Sequence, residues 1–282
     1  MVDDSQAGEG LLTLGAGTPL HALPGLRAPY GLALENMGDI DPQTLAGAGV
    51  AVGLGTLGVL VDLTLQLVPA FALDLQVDSA PADELFASWV ERTAADDHVE
   101  AFWFPHHPRA ITKTTTRRPA DTAPVPRSWF GRTVTDGIVS NAGLAALARA
   151  ADLFPRQAPW MNRTLGGLAP HRVVGPSHEV FVSHRTVRFR EMEYGGPRAF
   201  VAVHTVHGDG RARAWFAELE RILVAAGGRP RWGKMHSLGA AELAPLYPRM
   251  GGLLALRRQL DPDRLFGNAS TDRVLGLTAR RG

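Results

Sequence analysis

The chain has no cysteine, and its only lysines are Lys113 and Lys234. Without cysteine, it forms no disulfide, uses no thiolate nucleophile and binds no metal through sulfur. Its 29 basic and 28 acidic residues leave a formal net charge of +1, which gives no electrostatic footprint for nucleic acid. The remaining composition, with 45% hydrophobic and 20% charged residues, is that of an ordinary globular protein.

The chain also lacks a convincing membrane-spanning run. Its longest apolar stretch, Leu45–Val61, is rich in glycine and at the short limit for a transmembrane helix. The acidic and polar start, Met1–Gly10, is unlike a signal or transit peptide. We therefore expect a cytoplasmic protein, with peripheral association at a membrane and the oligomeric state both left open.

The most site-like stretch is Arg229–Ser237. It follows a predicted amphipathic helix, Ala212–Ala226, which Gly227 and Gly228 end. The stretch places several cationic or titratable side chains around a tryptophan and a glycine. Such a cluster suits an anionic or carbonyl-rich ligand, with the aromatic ring as a wall. A solvated loop with one packed tryptophan explains the same residues equally well.

The orientation of these side chains follows from the backbone. In an extended segment, Lys234 and His236 face one side and Arg231 the other, because strand side chains alternate. Lysine is the cation whose pKa burial shifts readily, so a rare lysine in this stretch is a candidate functional group.

A glycine motif, Gly53–Gly58, has the G-x-G-x-x-G spacing of a nicotinamide-binding Rossmann fold. That site needs a helix to open at the motif, so that the pyrophosphate meets the helix N-terminus. Here the following residues, Val59 to Leu67, alternate apolar and polar and predict a strand. A nicotinamide-dependent enzyme is therefore the weakest of the functional hypotheses.

Two histidine features have competing interpretations. His106 and His107 suggest a metal site, but adjacent strand residues face opposite sides and the flanking prolines favour a turn. We expect no metal. His204, on the predicted strand Phe200–Val206, is either a packed histidine or a catalytic one.

Eight stretches together resemble the sugar-1,4-lactone oxidases and the bacterial alditol oxidases, which are flavoproteins of the vanillyl-alcohol-oxidase superfamily. The sequences Arg-Trp-Gly-Lys-Met-His and Glu-Met-Glu-Tyr are the more specific of them. The stretches run in family order and are Thr13–Pro19, Gly31–Ala48, Val52–Gln66, Phe102–Arg117, Phe189–Pro197, Phe200–His207, Gly228–His236 and Leu260–Asn268.

The resemblance implies an α+β fold: a truncated FAD-binding domain of the vanillyl-alcohol-oxidase type over residues 1–70, and a C-terminal cap domain over residues 71–282. The cap would contain a mainly antiparallel sheet flanked by helices. It also implies an FAD-dependent oxidoreductase that oxidises a hydroxyl of a sugar lactone, such as D-arabinono-1,4-lactone, or of an alditol. Hydride would pass to the flavin, and electrons would then pass to oxygen or another acceptor.

The resemblance also assigns site residues. The catalytic candidates are Lys234, beside the flavin and substrate, and His204, in the pocket lining. The cofactor-binding candidates are Thr44, Gly47, Gly58, Val59, Arg231 and His236.

The chain departs from the family pattern in three blocks. It starts after the Gly-rich segment that cradles the pyrophosphate and often bears a flavin-linked histidine, so we expect FAD to bind non-covalently if it binds. The Thr-Gly-Thr-His-Gly type loop after Ala48 is absent, as is an acidic and arginine-bearing stretch between Pro197 and Phe200. Arg231 also replaces a family histidine. Each charge-assisted bond lost from the phosphate cradle weakens binding by roughly 1.5–3 kcal/mol. The alternative hypothesis is therefore a catalytically inert remnant of the family.

Overall fold

The structure of the chain is a computed structural model that describes residues 2–38, 43–49, 54–126, 146, 150, 153–154, 156–165, 170–182, 189–196, 199–206 and 212–276. The chain forms two compact units. The first comprises Met1–Ala48 and Asp62–Val187, and the second comprises Gly49–Val61 and Arg188–Gly282. The domain boundary predicted at residue 70 does not coincide with the boundaries of these packing units, and it stays a prediction.

The first unit begins with a small antiparallel sheet whose strand order is β1-β2-β4. Alternate leucines of its central strand are buried, as the period-two pattern predicts. A two-stranded ladder of β3 and β5 follows. The elements are β1 (Val2–Asp3), β2 (Leu11–Gly15), α1 (Leu23–Arg27), β3 (Leu32–Ala33), α2 (Leu45–Gly49), β4 (Asp62–Gln66) and β5 (Val68–Pro69).

The larger sheet of the first unit is antiparallel, with strand order β7-β8-β6-β9. Its core includes Leu75, Val77 and Ile111. The elements are β6 (Phe71–Pro81), α3 (Ala82–Ala87), α4 (Trp89–Ala95), β7 (His98–Phe102), β8 (Arg109–Pro119), α5 (Ala158–Leu165), β9 (His171–Pro176) and α6 (Ser177–Phe181).

The second unit contains a three-stranded antiparallel sheet, with order β11-β10-β12, and several helices. The long helix α7 ends at a glycine turn, where Gly227 has a φ of +81°. The elements are β10 (Phe189–Gly195), β11 (Phe200–Val206), α7 (Ala212–Ala225), β12 (Arg229–Pro230), α8 (Ala240–Leu243), α9 (Met250–Leu260) and α10 (Ala269–Leu275). Among the described helices, none combines the length and the apolar character that crossing a bilayer requires.

Several elements differ from the sequence prediction. The partial alternation over Val180–Glu193 predicts one long strand. This prediction is wrong at its start, because Val180 and Phe181 belong to α6, and β10 spans Phe189–Gly195. Helix α10 was not predicted, although Asn268 accepts hydrogen bonds from the Ser270 and Thr271 amides as a helix cap. The Asn-x-x-Thr spacing is a capping-box signal that could have identified it. The Ala- and Leu-rich residues 138–154 predict a further helix, and most of them lie outside the described residues.

The strand predicted after the glycine motif is confirmed as β4. A Rossmann site requires a helix after the glycine motif, and the strand found there argues against this hypothesis. His106 and His107 lie in a turn, and the His107 ring nitrogen Nδ1 is 2.6 Å from the Arg109 carbonyl oxygen.

A buried carboxylate stabilises the larger sheet of the first unit. Asp74 is 2% exposed, and Arg172 donates to both of its oxygens at 2.7 Å. Arg118 adds a bond of 3.3 Å. These bonds, led by that from Arg172, lower the pKa of Asp74. The stabilisation is present above the ordinary aspartate pKa and is lost as the pH falls through the lowered one.

We expect Asp74→Ala to destabilise the first unit by roughly 1–3 kcal/mol. The loss is limited because both arginines are about half exposed, so water solvates them when the carboxylate is gone. Urea unfolding monitored by circular dichroism measures the change. The matched control is Asp78→Ala on the same strand, where the residue is exposed. Equal unfolding midpoints for the two variants would contradict the assignment.

Candidate functional site

Strand β10 separates acidic side chains from apolar ones. Met192 and Tyr194 are each 1% exposed and pack with α7. Because strand side chains alternate, Glu191 and Glu193 lie on the opposite face of the sheet. His204 of β11 is directly across from Glu191 in the strand register, so it shares that face. The sequence Glu-Met-Glu-Tyr therefore builds one acidic face and one core face.

The segment after β12 turns back over this acidic face. The Lys234 amide donates to the Arg231 carbonyl at 2.9 Å, which closes a turn, and the Met235 amide bonds the Glu191 carbonyl at 2.9 Å. Arg231 Nη1 then lies 3.0 Å from a Glu193 oxygen, and Lys234 Nζ bonds a Glu191 oxygen. Both cations therefore meet the same face. The predicted alternation of Arg231 and Lys234 is wrong, because the segment is turned rather than extended.

Glu191 lies between two partners. Lys234 bonds one carboxylate oxygen, and His204 Nε2 is 3.4 Å from the other. The hydrogen bond from His204, together with that from Lys234, outweighs the opposing effect of burial and lowers the pKa of Glu191 to about 2. The carboxylate is therefore an anion at neutral pH. The three side chains remain 24–33% exposed, so a ligand can reach them.

The aromatic group on this face is not the predicted one. Trp232 is 7% exposed and packs in a hydrophobic cluster, with its ring 5.1 Å from that of Tyr247. It is therefore a core residue, which agrees with the packed tryptophan of the alternative interpretation and not with an aromatic wall for a ligand. Phe200 lies directly across from Gly195 and is 77% exposed. It shares the face of Glu193 and supplies apolar surface there.

His236 does not belong to the Glu191 cluster. Neither of its ring nitrogens has a hydrogen-bond partner within the part of the chain that the structure describes. Burial, followed by the charge of Arg273, lowers its pKa, and Glu220 opposes that effect. His236 is therefore a neutral, mostly enclosed imidazole at neutral pH. The sequence analysis had predicted that His236 and Lys234 share one face.

Hydrogen bonds anchor the turn at both ends. Glu220 of α7 is 5% exposed and accepts from the Ser237 amide at 3.0 and 3.1 Å. It also accepts from the Ser237 and Tyr194 hydroxyls. Burial, and then the bond to Glu220, raises the pKa of Tyr194, so this hydroxyl stays a donor. At the other end, the Tyr247 hydroxyl donates to the Pro230 carbonyl.

The other predicted cofactor residues fall in both units. Thr44 and Gly47 belong to the first unit, at the start of α2. Gly58 and Val59 belong to the second. Gly58 has a φ of +129°, which favours glycine, and Val59 is 76% exposed. A role for these residues in holding flavin stays a prediction.

The described residues suit one end of FAD better than the other. A lysine ammonium beside a partly exposed face matches the charge of a reduced flavin ring. The predicted cofactor-binding segment Thr44–Gly47 is less suited to holding a phosphate, because three of its amides already bond the chain's own carbonyl oxygens. Leu45 N–H donates to Thr18, Ala46 N–H to Ala16 and Gly47 N–H to Thr44, at 2.9–3.0 Å. These amides therefore have no hydrogen left for a phosphate.

Two solved structures have a fold similar to that of this chain. A cholesterol oxidase from Brevibacterium sterolicum superposes with a TM-score of 0.68 and 16% identity, over 98% of this chain and 83% of that one. A solvent-stable cholesterol oxidase gives a TM-score of 0.66 and 16% identity, over 98% and 84% of the two chains. At this identity the likeness establishes the fold alone. The fold is α+β of the vanillyl-alcohol-oxidase type, as predicted.

The sequence comparison then gives the family. The D-arabinono-1,4-lactone oxidase family matches residues 63–202 and 195–274, and the chain belongs to this family. The L-gulono-1,4-lactone dehydrogenase of Mycobacterium tuberculosis is 29% identical over 354 aligned positions, which cover 95% of this chain and 82% of the relative. An alditol oxidase of Streptomyces is 29% identical over 81% of this chain and 62% of that protein.

The length of the first alignment bears on the missing blocks. A chain of 282 residues cannot fill 354 positions, so many positions are opposite gaps in this chain. This agrees with the predicted absence of family segments. The predicted resemblance and the predicted class, a flavin-dependent oxidoreductase family, are confirmed.

The sequence prediction missed the acidic half of the site. Glu191 and Glu193 were only part of a family motif, and their pairing with Lys234 and Arg231 was not foreseen. The available signal was the alternation of two glutamates with an apolar methionine in the predicted strand, which places both carboxylates on one face.

One consequence of the site geometry is a specific pH dependence. Glu191 has a folded pKa of about 2 against an ordinary 4.5, so its contribution to stability is complete above pH 4.5 and is lost as the pH falls toward 2. The contribution is at most about 3 kcal/mol. In the wild type the urea midpoint should be higher at about pH 6 than at about pH 3. We expect this difference between the two pH values to be smaller in Glu191→Gln. The same difference in wild type and variant would contradict the pairing.

Proposed function

We propose that the chain is an FAD-dependent oxidoreductase that oxidises a hydroxyl group of a sugar-1,4-lactone, of the D-arabinono-1,4-lactone type, or of an alditol. FAD would be held non-covalently. The observation that carries the proposal is the cluster of Glu191, His204 and Lys234 on a partly exposed face of the sheet. The family membership and the names of the relatives support the substrate class.

The cluster can bind and orient a polyhydroxylated molecule. Lys234 and Arg231 are donors, and the carboxylates of Glu191 and Glu193 are acceptors for sugar hydroxyls. Glu191 also fixes the position of the Lys234 ammonium, because the ion pair restricts a flexible side chain. Phe200 offers an apolar surface against which carbon atoms of the ligand can pack.

Proton transfer is assigned to His204. When Nε2–H donates to Glu191, Nδ1 is the acceptor nitrogen of the imidazole and can take the hydroxyl proton. The carboxylate stabilises the imidazolium that results. Bound FAD supplies the two-electron acceptor for the hydrogen on the carbon. Lys234 would stabilise negative charge that develops beside it.

The first test is retention of flavin. The purified full chain is mixed with excess FAD, passed through gel filtration and examined by visible absorption. A flavin band that elutes with the protein, and that bleaches when a lactone or alditol is added without oxygen, supports the proposal. Comparing D-arabinono-, L-gulono- and L-galactono-lactone with xylitol identifies the substrate class. Reoxidation by air or only by a dye then separates an oxidase from a dehydrogenase.

The second candidate is a folded but inert member of the family. It is supported by the occupied amides of the Leu45–Gly47 segment and by the gaps in the long alignment. A cooperative thermal unfolding transition without retained flavin and without turnover would establish it. Retained flavin that any of the substrates reduces would exclude it.

A further inference from the structure

The first unit contains a cavity whose lining differs in chemistry from the acidic face. Its volume is about 350 Å³, which is within the range of small-molecule pockets. It is bounded by α1, β3, β6 and the connection from β9 to α6. Most of its lining is apolar and includes Pro24, Ala28, Leu32 and Phe71. Such a surface suits a hydrocarbon body better than a sugar, whose hydroxyls would lose hydrogen bonds there.

A buried cation lines this cavity. Arg27 is 5% exposed, and its Nη1 donates to the Leu32 carbonyl at 2.8 Å. Its Nε has no hydrogen-bond partner in the described part of the chain. Burial lowers the pKa of Arg27, and no described carboxylate offsets that effect. Because an enclosed guanidinium without an anion is unfavourable, its presence at a cavity wall indicates a ligand that supplies the anion.

Neutral donors lie beside this cation. Ser177 is 3% exposed and His178 follows it, and both line the cavity. Burial, and then the nearby charge of Arg27, lowers the pKa of His178, so its imidazole is neutral at neutral pH. The end of the cavity near Arg27 therefore has one fixed positive charge and neutral hydrogen-bonding groups. The remaining wall is hydrocarbon.

We propose that this cavity binds a small monocarboxylate with an apolar body, such as a medium-chain or aromatic acid. The guanidinium of Arg27 pairs with the carboxylate, for which its planar fork is suited. Ser177 and His178, which also line the cavity, offer neutral hydrogen-bonding groups for the same carboxylate. The hydrocarbon lies against the apolar wall, where its burial contributes to affinity. The site is separate from the Glu191 cluster, which belongs to the second unit.

Isothermal titration calorimetry on the full chain tests the proposal with octanoate, octanamide and sulfate as probes. We expect octanoate to bind at least tenfold more tightly than octanamide, which lacks the charge, and than sulfate, which lacks the apolar body. Equal affinity for octanoate and octanamide would overturn the role of the cation. Sulfate binding as tight as octanoate would overturn the role of the apolar wall.

Variants assign the binding to this cavity. Arg27→Met is expected to weaken octanoate binding at least tenfold. Ala28→Trp, at an exposed position of the cavity wall, is expected to do the same while it keeps the charge. Arg163→Met, an exposed arginine of α5, is the matched control and should bind octanoate as the wild type does. Unchanged octanoate binding in both cavity variants would overturn the proposal, whatever their stability.

Thermal stability gives an independent readout. If Arg27 were only structural, Arg27→Met would melt at a lower temperature. We infer that the buried Arg27 guanidinium serves binding and destabilises the ligand-free protein. We therefore expect Arg27→Met, without ligand, to melt at or above the wild-type temperature. Octanoate should raise the melting temperature of the wild type but not that of the variant. A rise of equal size in both proteins would contradict the site.

Discussion

Replacing Lys234 by methionine is expected to reduce turnover of the lactone or alditol by about 10²–10³-fold. Lys234 is the cation that touches Glu191 on the partly exposed face, and methionine keeps the length of the side chain without its charge. In the proposed reaction the ammonium would stabilise the negative charge that develops during oxidation, so we expect the loss to fall on the rate more than on folding. Steady-state kinetics with separate kcat and KM, at saturating FAD, measure the effect.

The chain provides a matched control for this experiment, because its only other lysine is Lys113. Lys113 lies on β8 of the first unit, 3.8 Å from Glu100. Lys113→Met should keep wild-type turnover. If Lys234→Met kept it as well, the assignment of the catalytic cation would be wrong. A parallel unfolding curve for each variant separates loss of activity from loss of fold.

Replacing Glu220 by alanine is expected to destabilise the second unit by about 3–5 kcal/mol, because several hydrogen bonds to one charged group, worth roughly 1.5–3 kcal/mol each, are lost. Glu220 is a buried carboxylate that accepts from the Tyr194 hydroxyl and from the amide and hydroxyl of Ser237. Alanine leaves the buried Tyr194 hydroxyl unpaired and opens a cavity next to it, whereas water can solvate the amide and hydroxyl of the exposed Ser237. Since a domain is stable by about 5–15 kcal/mol, this loss is large enough to loosen the Arg231–Ser237 turn near room temperature.

Urea unfolding followed by tryptophan fluorescence measures this loss, because Trp232 lies in the same unit. The control is Glu218→Ala, on the same helix and exposed, where an ion pair with Arg221 is expected to contribute less than about 1 kcal/mol. A similar midpoint for the two variants would show that the buried carboxylate does not anchor the turn. Tyr194→Phe, which removes one donor together with its need for a partner, should be milder than Glu220→Ala.

Local patterns predicted much of the fold. Alternation identified β2, β4 and β11, the apolar face and the following glycines identified α7, and the family motifs identified the fold class. These features depend on neighbours a few residues apart, for which side-chain direction follows from backbone periodicity. The failures came where a short apolar segment, Val180 onward, fits a strand as well as a helix. Only the contacts with the rest of the unit decide between them.

The candidate site was predicted less completely. The sequence identified Lys234, Arg231 and His204 as functional candidates, but the pairings depend on residues distant in sequence. Lys234 and Glu191 are 43 positions apart, and Glu191 meets His204 through the register of two strands. The sequence left Trp232 either as a wall for a ligand or as a packed ring, and the turn directs it into the core.

By itself the sequence determined the absence of cysteine chemistry, the periodicities of the strands and of α7, and the membership of the lactone oxidase family. The tertiary structure decided which carboxylate meets which cation, which side of the sheet is acidic, and that Glu220 and Arg27 are buried. The reason is physical. Periodicity fixes where a side chain points along one element, but burial, pairing and pKa depend on the segments that packing brings against it.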